Sequence, residues 1–163
     1  MKEVSKKMHK EIDTKREEEI EKIIKGNFIS SAIGTIDEEE YPLVTKIIPM
    51  FNNKSIYLLM SDLSDHTKNI LKNNKISIYY FLKEEKEQKL NNKRLTLTGT
   101  VKKLDFEKNS KKFLYLLESY EKIEIGSKFW GTFSDFNFYI FKPKRLLFIK
   151  GFGKAYKKTF TWK

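Results

Sequence analysis

The stretch SDFNFYIFKPKRLLFIKGFGKAY, Ser134 to Tyr156, sets Asp135 and a Gly151-Phe152-Gly153 turn at opposite ends of two aromatic-rich strands. Those strands read as Phe136–Phe141 and Arg145–Phe152, parted at Pro143, a residue that cannot donate to a central ladder. Upstream, the chain reads as a barrel that such strands close.

Moving outward, Arg94 opens a strand in which Leu95, Leu97, Gly99 and Val101 alternate with Thr96, Thr98 and Thr100. That alternation gives one packed and one polar face. Lys75–Lys83 sets Ile76, Ile78, Tyr80 and Leu82 on one face, and a charged loop, Glu84–Asn92, joins the two strands and is expected to be mobile. Phe28–Ile36, Leu43–Phe51 and Ser55–Ser61 read as an antiparallel meander with turns at Asp37–Glu40 and Asn52-Asn53. Pro49 marks an edge or a bulge in its middle strand.

Three helices are expected. Val4–Lys25, within an N-terminal element of residues 1–26, has helical apolar spacing with a polar break near Arg16 and a stop at Gly26-Asn27. A short helix capped by Asp62 or Ser64 runs to Asn73-Asn74 and buries Leu63, Ile70 and Leu71. Phe106–Tyr120 puts Phe106, Ser110, Phe113, Leu114, Leu117 and Tyr120 on one side, and Ile123–Phe133 reads as loop with a short turn. The pattern is mainly β (α+β), in one domain spanning 1–163.

Composition removes several function classes. The chain has no Cys, which excludes disulfides, thiolate metal sites and a cysteine nucleophile. With two histidines in all, His9 and His66, neither a histidine-rich metal site nor a Ser-His-Asp triad is expected. No phosphate-loop, dinucleotide, zinc-protease or nucleophile-elbow motif occurs. The net charge is +11, yet lysines lie in every segment and Arg occurs only at 16, 94 and 145. Such dispersion suits a solvated surface, and nucleic acid is not expected as a partner. The N-terminus lacks a signal-like apolar core, and no apolar run nears the roughly 20 residues needed to span a bilayer. A cytoplasmic protein without membrane contact is expected.

One local feature suits an anion. A strand ending at Ser61 feeds a helix N-terminus whose free N–H groups and dipole favour negative charge, with Lys68 nearby. A phosphate or a propionate would fit.

Four stretches together resemble the HugZ/HutZ heme-utilisation proteins, a branch of the pyridoxamine-phosphate-oxidase-like split-barrel superfamily. They are Gly34-Thr35-Ile36-Asp37 with Tyr41-Pro42; Met60 to Asn69, holding an S-x-L-x-x-H-x-x-N element; Lys93-Arg94-Leu95-Thr96-Leu97; and Asp135-Phe136 through Pro143 to Lys150–Tyr156 with its GFGxA. The resemblance covers a barrel core of about residues 28–156. It implies an antiparallel six-stranded split barrel with short flanking helices, a homodimer, and a ligand cleft between subunits. Relatives bind FMN there, and this branch is associated with heme binding and, in some members, oxygen-dependent heme breakdown using an electron donor that the sequence does not identify.

Carried across residue by residue, His66 and Asn69 match the family element, and His66 is either a heme ligand or a fixing point of its helix. Arg94 matches a cation that could meet propionates or an iron-bound ligand. Asp135 matches an acidic residue that supports the axial histidine by hydrogen bonding. The chain departs from the pattern because no His follows His66, so heme iron could be held by His66 or His9, by another ligand, or not at all. The FMN alternative would use Ser61 and Lys68 for the phosphate, with Lys46 as the nearest cation on the second strand. A third reading is a non-catalytic dimeric barrel.

Overall fold

The computed structural model describes residues 9–159. Its strands are β1 (His9–Lys10), β2 (Ser30–Ile36), β3 (Pro42–Lys46), β4 (Pro49–Asn52), β5 (Ser55–Ser61), β6 (Lys75–Phe81), β7 (Arg94–Lys103), β8 (Phe136–Ile149) and β9 (Ala155–Thr159). Its helices are α1 (Thr14–Ile24), α2 (Asp65–Lys72), α3 (Lys111–Glu121) and α4 (Ser127–Trp130). The strands make one curled sheet in the order β1-β9-β8-β7-β6-β2-β3, with β5 and β4 branching from β8. All pairings are antiparallel except β1 with β9. Among the described residues this split barrel has nine strands in place of the six expected.

The expected break at Pro143 does not occur, and β8 runs unbroken for 14 residues. Thr98 faces Arg145 and Gly99 faces Pro143, so Lys144 is the extra residue of a β-bulge. Pro143 has no N–H to leave unpaired, and Gly99 has no side chain to obstruct the approach. A Cβ on Gly99 would lie 2.1 Å from the Lys142 carbonyl oxygen and 2.7 Å from Pro143 Cα. The bulge also resets which side faces inward: Tyr139 and Phe141 reach the barrel interior before it, Leu146 and Phe148 after it. One edge of β8 pairs with β7 throughout, while the other pairs first with β5 and then with β9.

Leu43–Phe51, expected as one strand, divides at Ile47-Ile48, so that β3 stays on β2 and β4 pairs with β5. The crossing backbone is satisfied: Ile47 N–H donates to Ser31 O (3.2 Å), and the Tyr120 hydroxyl donates to Ile48 O (2.7 Å). Pro49 falls on the edge strand β4, as its missing donor requires. Asn53 and Lys54, both at positive φ, turn the chain into β5.

The N-terminal helix described begins at Thr14, where Asp13 caps it by accepting from Arg16 N–H (3.0 Å). Arg16 lies in its first turn, His9–Lys10 instead pairs with β9, and Val4–Met8 falls outside the described residues. The stop at Gly26 holds: at φ +130° it lets Asn27 N–H return to Lys22 O. α1 buries Ile20, Ile23 and Ile24 in the barrel core.

α3 starts later than expected, capped by Ser110, and buries Phe113, Leu116, Leu117 and Tyr120; Leu114 points to solvent. A second core forms where α3 meets Met50, Leu59 and Phe138. The short turn expected in Ile123–Phe133 is α4. The loop expected to be mobile is tied together by buried Asn92, which accepts from Glu85 and Lys86 N–H (2.9 Å each) and donates to Lys86 O (2.8 Å).

Candidate functional site

Pairing Ser61, the last residue of β5, with Phe136, the first of β8, brings Asp135 beside the start of α2. Asp62 N–H donates to Asp135 O (2.8 Å), and the Ser61 hydroxyl donates to Asp135 Oδ2 while accepting from Leu63 N–H (3.1 Å). Asp62, expected as a helix cap, instead accepts from Lys103 Nζ (2.7 Å), Asn137 Nδ2 (2.8 Å) and the Tyr139 hydroxyl (2.8 Å). Burial pushes its carboxyl up, but these three donors outweigh that and hold it below its ordinary value. Lys108 completes the cluster, donating to Phe136 O and lying 4.7 Å from the centroid of the Phe113 ring. Burial lowers its pKa, against the pull of Asp135 and Asp62.

This changes the anion site read from sequence. The single hydroxyl proton of Ser61 is committed to Asp135, whose charge disfavours an anion at that helix start. Lys68 is exposed and pairs with Asp65 at 3.4 Å.

α2 instead displays nitrogen chemistry along its packed side. His66 Nδ1 hydrogen-bonds Thr45 Oγ1 (2.9 Å) on β3, and Asn69 Nδ2 donates to Thr35 Oγ1 (3.1 Å) on β2. Three residues separate His66 and Asn69, so they share one face and fasten it to two strands. Ile70 is buried with them, whereas Leu63 and Leu71 are 71% and 68% exposed, contrary to expectation. Burial lowers the His66 pKa, with Asp65 opposing, so its imidazole is neutral at pH 7. Its other nitrogen, Nε2, takes no hydrogen bond among the described residues, and in the tautomer whose Nδ1–H donates to Thr45 Oγ1 its lone pair is open to a metal.

Arg94 lies elsewhere. It faces Ile149, while Lys103 at the other end of β7 faces Tyr139; nine residues of strand put about 30 Å between them. Its guanidinium donates to Leu90 O (3.0 Å) and Asn92 O (3.2 Å), closing the same loop that Asn92 holds. The Gly-Phe-Gly turn sits beside it, with Phe152 N–H donating to Asn91 Oδ1 (3.0 Å). His9 is at the opposite end of the sheet order from β3, to which His66 is tied. The structure therefore groups Ser61 with Asp135 and His66 with Asn69, and sets Arg94 and His9 apart. Sequence reasoning missed Thr45, Thr35, Lys103, Lys108 and Tyr139; the alternation of β3 offered the only hint, placing Thr45 on the side opposite exposed Val44 and Lys46.

The curated heme oxygenase HutZ of Vibrio cholerae is 26% identical over 132 residues, covering 77% of this chain and 71% of HutZ. Campylobacter jejuni ChuZ superposes with a TM-score of 0.76 at 24% identity, over 92% of this chain and 61% of that one. A heme binding protein from Mycobacterium smegmatis superposes with a TM-score of 0.73 at 18% identity, over 84% of this chain and 55% of that one. The chain thus spans little more than half the length of these two structural relatives. The fold they share is the split barrel read from the four motifs. Residues 28–159 match the family described as CREG, beta-barrel, and the chain belongs to that family.

Proposed function

We propose that this protein binds heme and serves heme utilisation, as its similarity to a heme oxygenase suggests. The observation that carries the reading is His66: a neutral, half-buried imidazole fixed through Nδ1 to Thr45, with Nε2 left for iron. Bound heme would supply an iron centre and its redox chemistry. The chain's own contribution is orientation. Thr45 sets the ring of His66, Asn69 fixes the helix that carries it, and Ser61 holds the Asp135 carboxylate at the helix start. The same reading carries a cytoplasmic homodimer that draws electrons from a separate donor, with oxygen-dependent heme degradation as the reaction.

A hemin titration followed by absorption tests this. A Soret shift saturating at one heme per subunit is expected, and His66→Ala should abolish it. If His66→Ala keeps the shift and His9→Ala loses it, the ligand is His9. Binding of FMN with no response to hemin overturns the reading in favour of the flavin alternative.

A further inference from the structure

The net charge of +11 is not spread evenly over the fold. No Asp or Glu lies on any of the nine strands, whereas Lys or Arg stands on β3, β6, β7, β8 and β9. The described acids sit on helices and connections, and they neutralise the cations those segments meet. Glu19 holds Lys93 and Lys150, Asp62 holds Lys103, and Glu17 of α1 holds Lys158. On the outer face of the sheet the cations stay open. Lys46, Lys75, Lys144, Arg145 and Lys157 are exposed, and among the described residues none of them forms an ion pair.

Register sets these charges around aromatic rings. One row crosses β3, β2, β6, β7, β8 and β9 as Lys46, Ala32, Tyr79, Thr96, Leu147 and Lys157. The adjacent row, Ile33, Ile78, Leu97 and Leu146, lies in the core, so the first row faces outward. Lysine stands at both ends of it, about 24 Å apart along the sheet. Phe81, two residues beyond Tyr79, shares the face; it is 44% exposed, and its ring meets that of Tyr79 at 4.6 Å and 68°. That edge contact holds the rings and leaves Phe81 open to a stacking partner. Arg145 and Lys157 flank a hollow of about 540 Å³ lined by Thr96, Thr98 and Thr159. The β8 bulge turns Lys144, which would otherwise point inward, to the same face as Arg145.

Open cations, hydroxyls and aromatic rings on one face supply what a single strand of nucleic acid needs: charge and hydrogen bonds for phosphates, and stacking for unpaired bases. A duplex keeps its bases from such rings. We infer that the outer sheet face binds single-stranded nucleic acid, with phosphates on Lys144, Arg145 and Lys157 and a base stacked on Phe81. The sequence alone argued against such a partner because its lysines lie in every segment. Strand pairing is what gathers them into one acid-free face. The inference does not rest on the heme reading.

Fluorescence anisotropy of the full chain with labelled oligo(dT) and oligo(U), each of about 12 nucleotides, tests it. Binding is expected, with affinity falling about tenfold or more between roughly 50 and 200 mM salt. The variant Lys144→Gln, Arg145→Gln, Lys157→Gln, at exposed positions, should lower affinity about tenfold or more and flatten the salt dependence. Phe81→Leu keeps an apolar side chain without the ring, and should lower affinity about fivefold or more while leaving the salt dependence unchanged. Tighter binding of one oligonucleotide than the other supports the inference and names the sugar. Polyglutamate offers charge without bases. If it binds as tightly as the oligonucleotides and Phe81→Leu affects neither, the face serves an acidic protein and the inference is overturned. Equal affinity for a duplex of the same length, variants that match wild type, or no binding by wild type also overturn it.

Discussion

Asn69 and Thr35 are both buried, and each is the other's hydrogen-bond partner. Asn69→Ala strands the Thr35 hydroxyl and should cost about 1–3 kcal/mol in urea denaturation. Asn69→Asp should also destabilise, because a carboxylate replaces the amide donor in a buried position. His66 is the more informative neighbour because its effect depends on pH. Its folded pKa lies below the ordinary 6.5, chiefly through burial, so the unfolded chain takes up the proton first. The stability this gives is complete above pH 6.5 and is lost as pH falls through the folded value. His66→Gln should flatten the melting temperature between pH 7 and 5, measured against wild type; an unchanged slope would mean the imidazole is not held neutral. The sequence showed His66 and Asn69 one turn apart, so a shared role was legible. Their partners were not, since Thr45 is 21 positions away and Thr35 is 34. Only strand pairing brings them together.

At the scale of elements, the bulge in β8 matters most. Gly99→Ala would force a methyl group into the backbone of Lys142 and Pro143 and should cost about 3 kcal/mol, or break the β7–β8 register. Gly153→Ala is a useful contrast: nothing lies within 4 Å of its Cβ, so only the positive φ of 71° resists it, at about 1 kcal/mol. Thermal melts of both variants should rank them in that order, and equal losses would place the strain in the turn and not the bulge. The alternation of β7 was plain in the sequence because its two faces meet different surroundings. The continuity of β8 was not, because Pro143 normally ends a central strand and its tolerance here depends on Gly99, 44 positions earlier. The same holds for β3 and β4: one apolar run serves two strands because Ser31 and Tyr120 receive the crossing backbone. Helix starts were misread where a cap lay inside the periodic stretch, at Asp13 and Ser110.

Across the whole molecule, composition gave the net charge but not where it is opposed. Glu19 on α1 accepts from Lys93, just before β7, and from Lys150, just after β8, each at 2.8 Å. This ties the helix across the end of the barrel, and three distant segments must be folded before the contact exists. Burial raises the Glu19 carboxyl, but the hydrogen bonds from Lys150 and Lys93 prevail and leave it below the ordinary 4.5. A depressed carboxyl stabilises the fold above its unfolded pKa, and the contribution fades as pH drops through the lower folded value. Asp62 acts in the same direction at the other end of β7. Acid unfolding should therefore begin with His66 below pH 6.5 and steepen below about 4.5 as the two carboxylates take up protons. Glu19→Gln should lower stability at pH 7 by about 1 kcal/mol, since the lysines are partly exposed and the pairs are screened. By pH 3 its melting temperature should approach that of wild type, because the native carboxylate is by then losing its charge as well. A deficit that persists undiminished at pH 3 would assign the effect to packing of α1 and not to the charge that bridges β7 and β8.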